Sequence, residues 1–326
     1  MSNISFKIDD IFSVAGQIVV VTGGGTGLGK AITAGFATNG AKVYITGRRG
    51  EVLQATADEI NGQVEGGGLV IPIQGDVATK EGVLKIVDAI KDKEEKIDTL
   101  VNCAGVMRGW KSPTKKHNDP DSVESMLLDV DDDDFNYSNS SLFPHRPSFR
   151  LLWNNTDPLL PLVNLNGVYF MTVSLVPLLR KAESPNVVVI ASIAGLANQR
   201  TMGSLTYGAS KAATIHCASL LAGRLHPMKI RVNTICPGIF PSEMTGVKTD
   251  TSHKYNLGDA ADKAAVRSTA QRPGAPQEIV GPVLLLASKG GMYMNNALLT
   301  VDGGRLMMAG INDGIRMPDE TFPEGA

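Results

Sequence analysis

Ile18-Val19-Val20-Val21-Thr22-Gly23-Gly24-Gly25-Thr26-Gly27-Leu28-Gly29 runs from an apolar stretch into a glycine turn, and a helical pattern follows over 28–39. Strand, glycine turn and helix in that order is the context a dinucleotide site needs. Glycine permits the tight turn and lets backbone approach a pyrophosphate. The helix N-terminus supplies free N–H groups and the positive end of a dipole. A glycine-rich loop with no ligand is the competing reading, and the strand and helix on the correct sides weigh against it.

The same alternation continues outward. Short apolar runs at 18–21, 42–46, 69–74, 99–101, 186–191, 231–236 and 298–301 read as strands. Helical patterns lie between them at 28–39, 51–61, 80–93, 167–180, 210–225 and 277–288. Unbroken apolar runs such as Val187-Val188-Val189-Ile190 suit a parallel strand buried on both faces. The fold class is therefore α/β, a Rossmann-type doubly wound parallel sheet flanked by helices. Ligands in such sheets bind beyond the carboxyl ends of the strands. The glycine turn, Asn102, Ser192 and Pro237 all fall at such ends.

With 326 residues and 43% hydrophobic composition, the chain can bury a large core as one domain over 1–326. The net charge of −2 is mixed along the chain, and no basic stripe points to nucleic acid. No apolar run has the length of a membrane span. Met1 to Asp10 carries two aspartates and does not read as a secretory signal. Cys103, Cys217 and Cys236 lie inside strand or helix patterns, which suits free thiols and a cytoplasmic setting.

Tyr207-Gly208-Ala209-Ser210-Lys211 places a phenol and an ammonium four residues apart, fifteen residues after Ser192. On a helix, positions i and i+4 share a face. A neighbouring cation favours the phenolate, so Tyr207 is expected to titrate below its ordinary value of about 10. That would make it a proton donor or acceptor near neutral pH. A lone Tyr-x-x-x-Lys is common by chance; the glycine turn upstream gives it weight.

Together these motifs resemble the short-chain dehydrogenase/reductase family from about Gly16 to Arg305, with one interruption. Thr22-Gly23 through Gly29 matches the family's glycine motif, with Thr22, Gly23, Thr26, Gly27, Leu28 and Gly29 implied as cofactor contacts. Asp76-Val77 matches the acidic position near the adenine ring. Asn102-Cys103-Ala104-Gly105 matches Asn-Asn-Ala-Gly with Cys103 in place of the second Asn, and implies Asn102, Ala104 and Gly105 as contacts. Pro237-Gly238 and Ser242 match the nicotinamide end, and Val301-Asp302-Gly303-Gly304 the closing motif. The resemblance implies that Ser192 holds the substrate oxygen and that Tyr207 handles the proton. It also implies that Lys211 lowers the Tyr207 pKa and binds the nicotinamide ribose, while Asn164 holds a relay water. A homodimer or homotetramer through helices 167–180 and 210–225 is a further implication.

The second strand ends in Thr46-Gly47-Arg48-Arg49. NAD-preferring folds put an acidic residue here, which would repel a 2′-phosphate. A planar guanidinium can instead hold that phosphate bidentately. The expected cofactor is NADP(H), with Arg48 as main contact and Arg49 as support, or with Arg49 merely at the helix start. No metal site is expected.

Two segments stand apart. Residues 239–272, polar with a short Ala-rich stretch at 259–265, match a substrate lid, and 306–326 form a tail. Residues 106–162 are inserted before the helix carrying Asn164. The acidic run 129–134 within them suits the N-terminus of the next helix. Residues 141–162, with Pro144, Pro147, Pro158 and Pro161, interrupt what reads as one helix. They are either a genuine insertion or a translated intron. The leading functional expectation is an NADP(H)-dependent oxidoreductase that transfers hydride between nicotinamide and a carbonyl or secondary alcohol of a small ketone or 3-oxoacyl compound, chiefly as an NADPH-dependent ketoreductase. The alternative is a catalytically impaired NADP-binding scaffold or interaction protein.

Overall fold

The computed structural model describes residues 5–64, 66–107, 119–130, 162–197, 205–248 and 255–307. A short helix α1 (Ile8–Ile11) precedes strand β1 (Ile18–Thr22). Then come α2 (Gly27–Thr38), β2 (Lys42–Gly47), α3 (Gly50–Asn61), β3 (Leu69–Gln74), α4 (Lys80–Lys91) and β4 (Thr99–Asn102). Helix α5 (Pro120–Leu128) leads to a π turn at Leu162–Asn166, α6 (Gly167–Leu179), β5 (Asn186–Ile190), α7 (Leu205–Arg224) and β6 (Arg231–Pro237). Strands β7 (Gly246–Lys248) and β8 (Tyr255–Leu257), helices α8 (Asp259–Val266) and α9 (Pro276–Ala287), and β9 (Leu298–Val301) complete the order.

Seven strands form one sheet in the order β3-β2-β1-β4-β5-β6-β9, and every neighbouring pair is parallel. The apolar runs explain its burial. Val19, Val21, Val188 and Ile190 point to one face, where α2 and α9 contribute Ile32, Phe36, Ile279 and Val283. Val20, Val187 and Val189 point to the other, against Val83 and Ile86 of α4, Met171 and Leu175 of α6, and Leu221 of α7. A strand with helices on both faces must be apolar at every position, so its sequence does not alternate.

The order reverses between β1 and β4, which pair in the register Thr22↔Asn102. Such a reversal opens a crevice at the carboxyl ends of the two central strands. It falls at the glycine turn.

Three features differ from or add to the sequence expectations. The helix expected from 210 begins at Leu205, so Tyr207 lies in its first turn. Helix α5 was not expected, although Asp119-Pro120 announces it: the Asp119 side chain accepts from Ser122 N, with Pro120 in the first turn. The acidic run begins with Asp129 as the C-terminal cap of α5; its aspartates at 131–134, on which the reading of a next-helix N-terminus rests, lie outside the described residues. The lid reading covers a two-stranded antiparallel sheet, β7–β8.

At the amino end of β6, Arg231 is buried and Nη1 donates to the carbonyls of Leu286 (3.1 Å), Gly291 (2.9 Å) and Met294 (3.3 Å). A cation against the last carbonyls of α9 complements the helix dipole. Burial pulls its pKa below the ordinary arginine value. Arg231→Ala is expected to destabilise the fold by about 2 kcal/mol, because buried hydrogen bonds to a charged group are lost and carbonyls are left unpaired. The midpoint of urea denaturation measures this, and an unchanged midpoint would contradict it.

Candidate active site

The crevice is built by close backbone approach. Thr22 Oγ1 accepts from both Cys103 N and Ala104 N at 3.0 Å, tying the end of β1 to the end of β4. Gly23, at φ +69°, faces Ala104: a Cβ there would stand 2.9 Å from Ala104 Cα. A Cβ on Gly29 would stand 2.1 Å from Gly23 O, so α2 packs onto the turn only with glycine at that position. Thr26, the N-cap of α2, makes no side-chain cap hydrogen bond. The leading N–H groups of α2 thus lack the usual internal acceptor. Gly27 follows at φ +51°, with Ser242 3.2 Å from the Cβ it lacks, so the segment after β6 lies over the start of the helix that continues through Leu28.

Around this cradle the other expected cofactor positions line the carboxyl edge. Asp76 Oδ1 accepts from Ala78 N at 3.0 Å, and Val77 is buried against Gly167. Asn102 Nδ2 donates to Thr172 Oγ1 at 3.1 Å, whereas its buried Oδ1 has no partner among the described residues. Gly238 N donates to Val301 O at 3.0 Å, just beyond Pro237. Asp302 Oδ1 accepts from Gly304 N at 3.0 Å, so the closing motif Val301-Asp302-Gly303-Gly304 is a turn that shapes this end. A glycine cradle, an uncapped helix start and an unpartnered amide oxygen together fit a nucleotide cofactor.

The two arginines after β2 have separate fates. Arg48 is exposed, and its carbonyl accepts from Gln74 Nε2 at 2.9 Å, which fixes its backbone. Arg49 forms a two-pronged ion pair with Glu243, Nη1–Oε1 3.2 Å and Nη2–Oε2 2.8 Å. Arg49 therefore ties the β2 end to the segment that follows β6.

The groups expected to handle the proton converge above β5. Ser192 Oγ accepts from Ala194 N at 3.1 Å and is hydrogen-bonded to the Tyr207 hydroxyl. Lys211 Nζ lies 5.8 Å from the Tyr207 ring centroid and donates to Ile190 O at 3.3 Å. Asn164, in the π turn, is buried and reaches the same place: its Oδ1 and Lys211 Nζ both lie 3.3 Å from the Cβ that Gly105 lacks. All four expected catalytic side chains thus meet. Residues 141–161 of the interrupting segment lie outside the described residues.

Electrostatics correct one expectation. The Tyr207 phenol is not lowered; burial pushes it up to about 12, and the Ser192 hydrogen bond only partly opposes that. Burial also pulls Lys211 down to about 8, so the cation that was expected to stabilise a phenolate is itself costly to keep charged. Desolvation is the largest cause of both shifts. Burial likewise raises two thiols that flank Lys211, Cys103 to about 12 and Cys236 to about 11, with Lys211 opposing in each case. Cys236 was not singled out as a site residue by its motif, yet it accepts from the Ser192 backbone.

Two sequence profiles match the chain. That of the short chain dehydrogenases matches residues 17–130, and that described as enoyl-(acyl carrier protein) reductase matches 159–305. The short-chain dehydrogenase/reductase PhomF of Diaporthe leptostromiformis is 33% identical over 306 residues, covering 91% of this chain and 94% of the relative. A rhamnolipids biosynthesis 3-oxoacyl-(acyl-carrier-protein) reductase of Pseudomonas aeruginosa is 31% identical over 299 residues, covering 90% and 97%. The solved Pseudomonas aeruginosa RhlG/NADP active-site complex superimposes with a TM-score of 0.65 at 28% identity, covering 90% of this chain and 98% of that one.

Because the thiol is reactive only as the thiolate, all three cysteines should resist alkylation in the native protein. Iodoacetamide labelling at pH 8 followed by peptide mass mapping is expected to leave Cys103 and Cys236 unmodified. Labelling of either at the rate of a free thiol would contradict their raised pKa values.

Proposed function

The chain belongs to the short-chain dehydrogenase/reductase family, and we propose that it is an NADPH-dependent reductase of a small ketone or 3-oxoacyl compound. The observation that carries this reading is the meeting of Ser192, Tyr207 and Lys211 beside a glycine cradle at the sheet's reversal point. The similarity to a 3-oxoacyl-(acyl-carrier-protein) reductase of Pseudomonas aeruginosa supports the substrate class. The similarity to RhlG, whose solved structure is a complex with NADP, supports the cofactor.

When bound, the dihydronicotinamide supplies the hydride. The protein's part is to hold the carbonyl oxygen and deliver one proton. The Ser192 hydroxyl, already directed to the Tyr207 oxygen, donates to the substrate oxygen that enters between them. Tyr207 gives that oxygen its proton. With its phenol near 12, Tyr207 is fully protonated at neutral pH, which is the state reduction requires. Lys211 near 8 remains mostly charged at pH 7, and a cation beside the nascent phenolate lowers the cost of the transfer. Asn164, beside Lys211, connects that ammonium to the proton supply.

Arg48 is the proposed partner of the 2′-phosphate. Arg49 has a secondary part at most, since Glu243 engages it in a bidentate pair. A homodimer or homotetramer belongs to the same proposal: α6 and α7 present Tyr169, Leu205 and Leu220 on the surface. Among the described residues no helix is long and apolar enough to cross a membrane.

The deciding experiment is NADPH oxidation against a panel of ketones, acyl thioesters and sterols. Tyr207→Phe is expected to lower turnover on any responding substrate by about 10³-fold, within the range for loss of a general acid, while NADPH affinity survives. Near wild-type turnover would sink the assignment. NADPH binding without reduction of any carbonyl would favour the scaffold reading.

Arg48→Ala is expected to weaken NADPH binding by about 10-fold or more, the scale of a charge-assisted hydrogen bond, and to leave NADH binding nearly unchanged. Fluorescence titration of both nucleotides measures this. Equal losses for the two would remove Arg48 from the 2′-phosphate.

A further inference from the structure

Asn164 lies in an unusual stretch of backbone. The described chain resumes at Leu162 with a π turn, Leu162–Asn166, and only then becomes the regular helix α6. A π turn shifts carbonyls away from the α-helical bonding pattern, and such turns need outside partners. Here the partners come from α7, the helix that carries Tyr207 and Lys211.

Thr214 Oγ1 donates to the Asn164 main-chain carbonyl at 2.7 Å, and Ser210 Oγ accepts from Asn164 Nδ2 at 2.9 Å. Ser210 spends its own proton on the Tyr207 carbonyl, at 2.8 Å. A hydroxyl has one proton, so this assigns Ser210 as acceptor toward Asn164. Thr214 Oγ1 also lies 2.9 Å from Ser210 O, the carbonyl one turn back. Its single proton therefore chooses between its own helix and Asn164, and the shorter approach is to Asn164. On the far side the Asn164 amide pairs twice with Val106: Oδ1 accepts from Val106 N at 3.0 Å and Nδ2 donates to Val106 O at 3.1 Å. Exchanging amide oxygen and nitrogen would put donor against donor and acceptor against acceptor, so the orientation is unique. Asn164, Ser210 and Thr214 are all essentially inaccessible to solvent.

We propose that Thr214 and Ser210 are positioning residues for the reduction proposed above, clamping the π turn to α7 so that the Asn164 amide and carbonyl keep their place beside Lys211. Tyr207, Lys211 and Thr214 are spaced i, i+4 and i+7, one face of one helix. The clamp thus references Asn164 to the same rigid element that holds the phenol and the ammonium. Neither residue touches substrate or the reacting atoms. Their effect runs through Asn164, whose Oδ1 shares with Lys211 Nζ the narrow space over Gly105.

The test compares wild type with Thr214→Val, which keeps the shape and removes the donor, Thr214→Ser, which restores it, and Ser210→Ala. Thr214→Val is expected to lower kcat about tenfold with KM and NADPH affinity within about twofold. This corresponds to about 1.4 kcal/mol on the barrier. The solvent deuterium isotope effect on kcat should rise, because proton delivery becomes limiting, and Thr214→Ser should recover most of the rate. Unchanged kcat and isotope effect in Thr214→Val would overturn the proposal, and so would equal impairment in Thr214→Ser. A second readout is independent of turnover. Hydrogen exchange at the Val106 amide, bonded to Asn164 Oδ1, should quicken at least about fivefold in Thr214→Val and Ser210→Ala, and unchanged protection in both would overturn the clamp. If wild type reduces no carbonyl, the functional reading fails while the exchange measurement still decides the clamp. If Thr214→Val does not fold, Ser210→Ala and Thr214→Ser carry both comparisons.

Discussion

The Thr22 hydroxyl holds the site open by holding two strand ends together. Its oxygen accepts from Cys103 N and Ala104 N at the point where strand order reverses. At a parallel sheet's carboxyl edge these N–H groups have left the ladder and would otherwise be unpaired. Satisfying both with one side chain lets β1 and β4 end side by side while their chains diverge to opposite faces. Gly23 then passes within 2.9 Å, measured from its would-be Cβ, of Ala104. Any side chain at Gly23 would push the glycine turn off β4, and the uncapped start of α2 would no longer face the crevice. The position of Asn102 and Gly105, and hence the space shared by Asn164 and Lys211, follows from the same seam.

Burial sets the chemistry of that space more strongly than pairing does. Tyr207, Lys211 and the two flanking thiols all shift toward their neutral forms. A phenol near 12 is a poor base but a secure proton donor, and a lysine near 8 is a cation held at some cost. In the reduction direction these are useful properties: the proton is present beforehand, and the cation gains most when a negative charge develops beside it. The low dielectric that raises the phenol also strengthens that late attraction. Cys103 stands where the family has a second asparagine; as a neutral thiol beside Lys211 it adds no competing anion.

The sheet was legible in the sequence because short, β-branched apolar runs such as Val187 to Ile190 suit a strand buried on both faces. The glycine turn was legible because four of its positions, Gly23, Gly24, Gly27 and Gly29, require close approach or positive φ. The chemistry-bearing side chains were legible through motif order. What remained hidden depends on contacts between distant residues. The Thr214 and Ser210 hydroxyls look like ordinary helix residues, and only the π turn at Leu162–Asn166 gives them a partner. The direction of the Tyr207 shift was misread because spacing reports that Lys211 is near but not that both are nearly inaccessible. Helix α5 was missed although Asp119-Pro120 is a local start signal, because the charged residues around it mask a weak apolar stripe.

The neighbouring arginines show how far composition can go before geometry is needed. Two guanidiniums after β2 suggest a phosphate site, but they cannot serve it equally. Arg49 is the N-cap of α3, and its side chain turns toward Glu243 on the segment that follows Ser242. That pair is half-exposed, so it contributes little to stability by itself. Its consequence is geometric: it links the edge where a ribose phosphate would sit to the segment that covers Gly27. Arg48, with its backbone held by Gln74, keeps its guanidinium in solvent at the same edge. A fixed backbone with a solvated head loses little entropy on capturing a phosphate and, among the described residues, has no ion pair to break first. Arg48 is thus physically better suited to a 2′-phosphate than Arg49, and the asymmetry arises from one carboxylate 194 residues away in the chain.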